Sequence, residues 1–256
     1  MYQSVEANAQ WVNETWEKID RKLQKVCIRS REKLPYTTVN GVHDNMLETN
    51  PCWWTNGFWG GMMWLMYLNT NNEEYKKTAL RSEELLDKAL EYYKVLHHDV
   101  GFLWKLTSVA NYRITGNESA CNKALFTAST LFSRFNIEAG FIRAWNGNND
   151  SWSIIDTLMN LPLLYWASRE IGDDRFTKVA MRHADTAIRD HLRPDGSVNH
   201  IVEHDVHTGE KIAVHAGGGL NENTSWSRGV AWTVYGATLS YIHTKEQRYL
   251  DAAIRA

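Results

Sequence analysis

The stretch Ile154-Ile155-Asp156-Thr157-Leu158-Met159-Asn160-Leu161-Pro162-Leu163-Leu164-Tyr165-Trp166-Ala167, with Ile171-Gly172-Asp173-Asp174-Arg175-Phe176 and Ala180 after it, decides the fold. Its first part is apolar nearly all round, as a helix buried on every side must be. A short turn follows, then acidic residues suited to a helix N-terminus. Phe176 and Ala180 then stand four apart, on one helix face. The same unit recurs at Asn72-Glu73-Glu74-Tyr75 with Ala79, at Asn117-Glu118-Ser119-Ala120 with Ala124, and at Lys245-Glu246-Gln247-Arg248-Tyr249 with Ala253. Before each copy an apolar segment ends in a turn: Leu68-Asn69-Thr70-Asn71, Ile114-Thr115-Gly116 and His243-Thr244. The repeating unit is helix, short turn, helix.

Working outward, an amphipathic helix is expected over 5–33, then four hairpins. Their first helices are expected near 55–69, 101–115, 153–171 and 225–243, and their partners near 73–94, 118–135, 174–190 and 246–256. The first helices are apolar and form an inner ring. The partners carry the charge, as in Glu83-Glu84-Leu85-Leu86-Asp87-Lys88, which reads as a solvent face. Pro162, inside a helical run, should kink it. The links into the inner helices are long and hold the Trp, Gly, His and Asp clusters. One of them alternates, Val198-Asn199-His200-Ile201-Val202 and then Ile212-Ala213-Val214, so a small β-hairpin is expected near 196–215. Tight turns at one end and elaborate loops at the other suit a scaffold with one active site. The chain stops at Ile254-Arg255-Ala256, soon after a helix begins and without a stop signal, so the C-terminal part of the ring is expected to be missing.

The 256 residues can bury a sizeable core. A net charge of -2 leaves no basic field for nucleic acid. The longest apolar stretch, 57–68, is too short to span a bilayer. No basic region followed by an apolar one opens the chain, so no secretory leader is expected. Cys27, Cys52 and Cys121 are odd in number and lack metal-type spacing, which reads as reduced thiols in a cytoplasmic protein. The 12 Trp stand out, as either core or flat apolar faces for a ligand.

Residues that could carry chemistry fall at the entrances to inner helices. In Cys52-Trp53-Trp54-Thr55-Asn56-Gly57-Phe58-Trp59-Gly60-Gly61, glycines among aromatics admit either a ligand or tight helix packing. His97-His98-Asp99-Val100-Gly101-Phe102 invites a metal reading, but consecutive residues rarely all face one ion; Asp99 could equally cap a helix. Asp156 opens a very apolar helix, where burial favours the neutral acid and suits a proton donor; a buried cap is the alternative. Arg228, in Asn223-Thr224-Ser225-Trp226-Ser227-Arg228-Gly229-Val230-Ala231-Trp232, has the donor fork that grips a carboxylate, or pairs with an Asp of the ring. Trp145 lies in the link before Asp156. Two carboxylates, several Trp and one Arg in one cavity would suit an acidic sugar.

Together the motifs H-H-D-V-G-F (97–102), I-I-D-T-L-M-N-L-P-L-L (154–164), W-T-N-G-F-W (54–59) and S-W-S-R-G-V-A-W (225–232) resemble glycoside hydrolase family 88, the unsaturated glucuronyl hydrolases, along essentially the whole chain. The resemblance implies an all-α (α/α)6 barrel, here with about nine of its twelve helices, as one catalytic domain over 1–256. It implies no metal and no cofactor, and a substrate that is an oligosaccharide left by a polysaccharide lyase. Water would be added across the C4=C5 double bond of the terminal uronyl residue, and the resulting hemiketal would collapse. By the same resemblance Asp156 is the general acid and base, and Asp99 holds the sugar hydroxyls. Trp54, Phe58 and Trp145 line the pocket, and His98 lies beside the acid. Arg228 and Trp232 lie near the substrate carboxylate, and His200 contacts substrate. Family members often carry a Gln where this chain has Gly218. Two other readings are an unsaturated rhamnogalacturonyl hydrolase of the related family, and an inactive toroid that binds acidic sugars or a partner. An exposed barrel edge would promote self-association; neither nucleic acid nor membrane is expected as a partner.

Overall fold

The computed structural model describes residues 5–256, with side chains from Asn8 onward. Helix α1 (Val5–Arg29) leads to a hairpin, β1 (Thr38–Val39) and β2 (Val42–His43), and the single turn α2 (Met46–Thr49). Next come α3 (Asn56–Thr70), α4 (Glu73–Leu86) with a 3-10 extension Asp87–Glu91, α5 (Val100–Leu106), α6 (Ser108–Thr115) and α7 (Glu118–Phe132). A hairpin, β3 (Phe135–Asn136) with β4 (Phe141–Ile142), precedes β5 (Trp152–Ile154), the 3-10 turn Ile155–Met159, α8 (Leu161–Ile171) and α9 (Arg175–Asp190). Then follow β6 (Ile201–His204), β7 (Lys211–His215), α10 (Ser227–Thr244) and α11 (Gln247–Arg255). The expected hairpins are α3 with α4, α5–α6 with α7, α8 with α9, and α10 with α11. Counting α5–α6 as one interrupted helix and leaving out the single turn α2, nine helices make up the array among the described residues.

One local device makes all four turns. Asn71, Gly116, Gly172 and Lys245 end the first helices in the left-handed conformation, at φ 53°, 73°, 67° and 64°. Gly116 and Gly172 adopt it without a Cβ clash. In three turns a Thr stands just ahead. Thr70, Thr115 and Thr244 donate to the carbonyl four residues back at 2.7, 2.8 and 2.8 Å. Each hydroxyl also accepts the N–H two residues on, at 3.2 Å. Asn72 and Asn117 then cap the second helices, their side-chain oxygens accepting from Glu74 at 3.0 Å and Ser119 at 3.0 Å.

Five expectations need correction. Helix α8 starts at Leu161, not near 153, so Pro162 lies in its first turn and kinks nothing; there the missing N–H had no intrahelical partner to lose. The residues ahead of it form β5 and a 3-10 turn, because Ile154 pairs with Ile201 in the sheet. The helix expected over 101–115 breaks at Thr107, φ -107° and ψ -81°. Helix α4 ends at Leu86, and its Glu83 is not on a solvent face: it is buried, held by Ser108, Asn111 and Lys123, each at 2.9 Å.

The core runs between the inner helices and their partners, around Leu103, Trp104, Leu158, Leu163, Leu164, Tyr165 and Trp166, each at most 2% exposed. Each such leucine contributes roughly 1.5–3 kcal/mol by leaving water. Inner helices meet in chain order, α3 against α5, α5 against α8, and α8 against α10. Their N-terminal ends converge closely. A Cβ on Gly57 would stand 2.4 Å from the Phe102 carbonyl oxygen, and one on Gly101 would stand 2.5 Å from the Asn160 Cα. The glycines of the 52–61 run therefore serve helix packing. No helix among the described residues is long and apolar enough to cross a membrane. All three cysteines are buried and free.

Candidate active site

Sheet register brings the first pair of polar groups together. β6 lies between β5 and β7, with Ile154 opposite Ile201, so the residues just past that pair, Asp156 and His200, meet at the sheet's end. The Ile155 N–H donates to the His200 carbonyl at 3.1 Å. The ring Nε2 of His200 lies 3.2 Å from Asp156 Oδ1, and its Nδ1 accepts the Gly218 N–H at 2.6 Å. A ring nitrogen that accepts carries no proton, so the proton sits on Nε2 and is donated to Asp156. Asp156 and His200 are both 8% exposed.

Asp99 occupies the N-cap position of α5 but makes no side-chain cap bond. Its carboxylate turns instead toward His97 Nδ1 at 3.2 Å, His98 Nε2 at 3.5 Å and the Asn160 amide at 3.3 Å. Burial would raise its pKa, but the two histidines and Asn160 outweigh it and hold the carboxyl below its ordinary value. Burial lowers His98 to about 4, so its ring is neutral near pH 7; its Nδ1 is 3.0 Å from Thr157 Oγ1. The sequence reading took three consecutive side chains to diverge. They converge: the ligand-type atoms of His97, His98 and Asp99 all lie within 4.8 Å of one another. The chain turns sharply into α5 here, and that curvature is invisible in residue order.

Asn160 joins the two carboxylate segments and was missed as a site residue. Its Nδ2 reaches Asp99 Oδ1 at 3.3 Å and the Asp156 carbonyl at 3.4 Å, while its Oδ1 accepts the Phe102 N–H at 2.7 Å. Its place in the I-I-D-T-L-M-N motif was the available signal.

The aromatic residues form one continuous lining. Trp54 meets Phe58 and Phe102 with ring centroids 5.7 Å apart in each case, and Phe102 meets Trp232 at 5.6 Å. Trp145 stands edge-on to His98 at 5.9 Å. Trp226, the Trp just ahead of Arg228 in the 223–232 run, lies 4.6 Å from the His200 ring and 3.7 Å from the Arg228 guanidinium carbon; Trp54 is 5.2 Å away on that guanidinium. Arg228 makes no ion pair among the described residues, and its buried Nε has no hydrogen-bond partner. Thus the alternative of an Arg paired with a ring Asp is not what folds. A cation between two indoles keeps its donor edge for an incoming carboxylate. Gly218 is also accounted for: a Cβ there would stand 2.4 Å from the Trp226 ring, and its N–H holds His200.

All nine side chains singled out from the sequence, Asp156, Asp99, Trp54, Phe58, His98, Trp145, His200, Arg228 and Trp232, are linked through these contacts. The chain is similar in sequence and in fold to known proteins. The unsaturated glucuronyl hydrolase of Bacillus sp. (strain GL1) is 36% identical over 229 residues, 88% of this chain and 60% of that protein. The unsaturated chondroitin disaccharide hydrolase of Streptococcus pneumoniae is 32% identical over 245 residues, 94% of this chain and 61% of that protein. The solved structure of the Bacillus sp. GL1 enzyme superposes with a TM-score of 0.82 at 32% identity, over 92% of this chain and 62% of that one. An unsaturated glucuronyl hydrolase described as specific for heparin gives 0.85 at 29%, over 96% and 66%. The chain thus spans about three fifths of the length of the curated relatives it matches. The family model of Glycosyl Hydrolase Family 88 matches residues 23–254, nearly the whole helical array, and the chain belongs to that family.

Proposed function

We propose that this chain carries the reacting groups of a glycosidase that removes a 4,5-unsaturated uronic acid from the non-reducing end of a lyase-generated oligosaccharide. The observation that carries the reading is Arg228, without an ion pair among the described residues, its guanidinium carbon 3.7 Å from the Trp226 ring and 5.2 Å from the Trp54 ring, with Trp226 in turn 4.6 Å from the ring of His200, which pairs with Asp156. A uronate needs a cation for its carboxylate, flat apolar faces for its ring and a proton donor at C4; these residues supply all three.

In this reading Asp156 gives its proton to C4 as water attacks C5, and takes a proton from that water. His200 orients Asp156. The hemiketal formed at C5 then opens, and the glycosidic bond breaks. Asp99, held ionised by His97, His98 and Asn160, binds sugar hydroxyls and balances positive charge developing on the ring. Trp54, Phe58, Trp145 and Trp232 form the walls. Buried free thiols fit a reducing, cytoplasmic setting.

The C4=C5 double bond absorbs in the ultraviolet, so hydrolysis is followed as loss of that absorbance. Unsaturated chondroitin, hyaluronan and heparin disaccharides should lose it with this chain, and Asp156→Asn should abolish the loss. A folded, monodisperse chain that consumes none of them would refute the reading. The second reading is self-association through the exposed apolar side chains of α3 and α10: Met62, Leu65, Leu68, Tyr235 and Ile242 are 42–61% exposed. Light scattering after size exclusion distinguishes a dimer from a monomer.

A further inference from the structure

We propose that His97, His98 and Asp99 form a binding site for a transition-metal dication of the zinc class. The binding stands on this chain's geometry alone. Its consequence, inhibition by capture of the Asp99 carboxylate, rests on the function proposed above.

In tetrahedral zinc sites the bonds to histidine nitrogen and carboxylate oxygen are about 2.0–2.1 Å, which separates neighbouring ligand atoms by about 3.3–3.4 Å. Here Asp99 Oδ2 lies 3.2 Å from His97 Nδ1 and 3.5 Å from His98 Nε2, bracketing that value. The third edge, between the two rings, lies within 4.8 Å.

The surroundings are those of a built metal site. A ligating histidine donates its other ring N–H to an oxygen, and a ligating carboxylate is itself hydrogen-bonded. With Nε2 turned to the metal, the proton of His98 sits on Nδ1, where Thr157 Oγ1 waits at 3.0 Å. The second oxygen of Asp99 is already held by Asn160 at 3.3 Å. His98 is 2% exposed and Asp99 7%, so the donors are fixed in a largely water-free wall, while the His97 side chain, 19% exposed, gives access from solvent. Two imidazoles and one carboxylate favour zinc, cobalt or nickel over magnesium and calcium. Three protein ligands leave a fourth position for water. The competing arrangement is a hydrogen-bonded trio, with the His98 proton on Nε2 and directed at Asp99.

Cobalt(II) tests this without any substrate. The chain, freed of metal by chelator, should develop the intense visible absorption of a tetrahedral cobalt site, saturating at one equivalent. Zinc should bleach it, and magnesium should not. His97→Asn, whose fold is checked by circular dichroism, should weaken zinc binding at least tenfold by competition with a chromophoric chelator, and Asp99→Asn should do the same. Zinc should also stop uronyl hydrolysis, with chelator restoring it. The proposal is overturned if cobalt gives no saturable tetrahedral spectrum, or if that spectrum survives both substitutions. Binding without any hydrolase activity would leave the metal site standing and count against the proposed function instead.

Discussion

His200 is held from both sides of its ring: Nδ1 accepts the Gly218 N–H at 2.6 Å, and Nε2 donates to Asp156 Oδ1 at 3.2 Å. One backbone amide therefore sets the tautomer that faces the proposed proton shuttle. A hydrogen bond to a charged group is worth about 1.5–3 kcal/mol, and each 1.36 kcal/mol is tenfold in rate. His200→Ala should thus lower kcat on an unsaturated disaccharide roughly 10- to 100-fold. An unchanged rate would remove His200 from the mechanism.

Gly218 is coupled to the same relationship. An added Cβ would stand 2.4 Å from the Trp226 ring, which itself stacks on Arg228. Gly218→Ala should raise KM by displacing the guanidinium, with a smaller effect on kcat. Steady-state kinetics separates the two; a KM within experimental error of the parent would contradict the packing argument.

Asn160 serves three partners at once. Asn160→Ala leaves the buried Phe102 N–H without its acceptor and Asp99 without one donor. An orphaned buried group costs roughly 1–3 kcal/mol. The urea midpoint should fall accordingly, and hydrolysis should slow. If the midpoint does not move, Asn160 does not brace the two carboxylate segments.

The buried carboxylate of Glu83 gives a test that owes nothing to activity. Lys123 neutralises it at 2.9 Å and bonds Asp87 at 2.5 Å. Lys123→Met should destabilise the fold by roughly 3–5 kcal/mol, because it strands a charge in the core. A loss below about 1 kcal/mol in chemical denaturation would show that water reaches the site.

Acid stability follows from the histidines. Burial lowers His98 and His191 from 6.5 to about 4. Between those values the unfolded chain binds protons that the folded chain refuses. Stability is therefore complete above pH 6.5 and is lost as pH falls toward 4, by roughly 3 kcal/mol per histidine at the foot of that window. Denaturation midpoints measured at pH 7.0 and 5.0 should differ in that direction. A midpoint that rises on acidification would contradict the assignment of these rings as neutral.

The sequence by itself determined the helical-hairpin array, the location of the four turns, and the cluster of residues at the inner-helix entrances. Each of these rests on local chemistry: apolar periodicity, polar or acidic helix starts, and Gly or Asn at three of the four places where the chain goes left-handed. It also named the nine side chains that the fold links together. Tertiary structure decided the rest. That Ile154 continues a sheet rather than a helix depends on Ile201, almost fifty residues away. That Glu83 is core rather than surface depends on Ser108, Asn111 and Lys123. The proton on His200 is set by an amide contributed from another loop, and the convergence of His97, His98 and Asp99 by one turn into α5. Periodicity reports which face a residue occupies along its own element. Which group meets it across the chain is decided only when the elements pack.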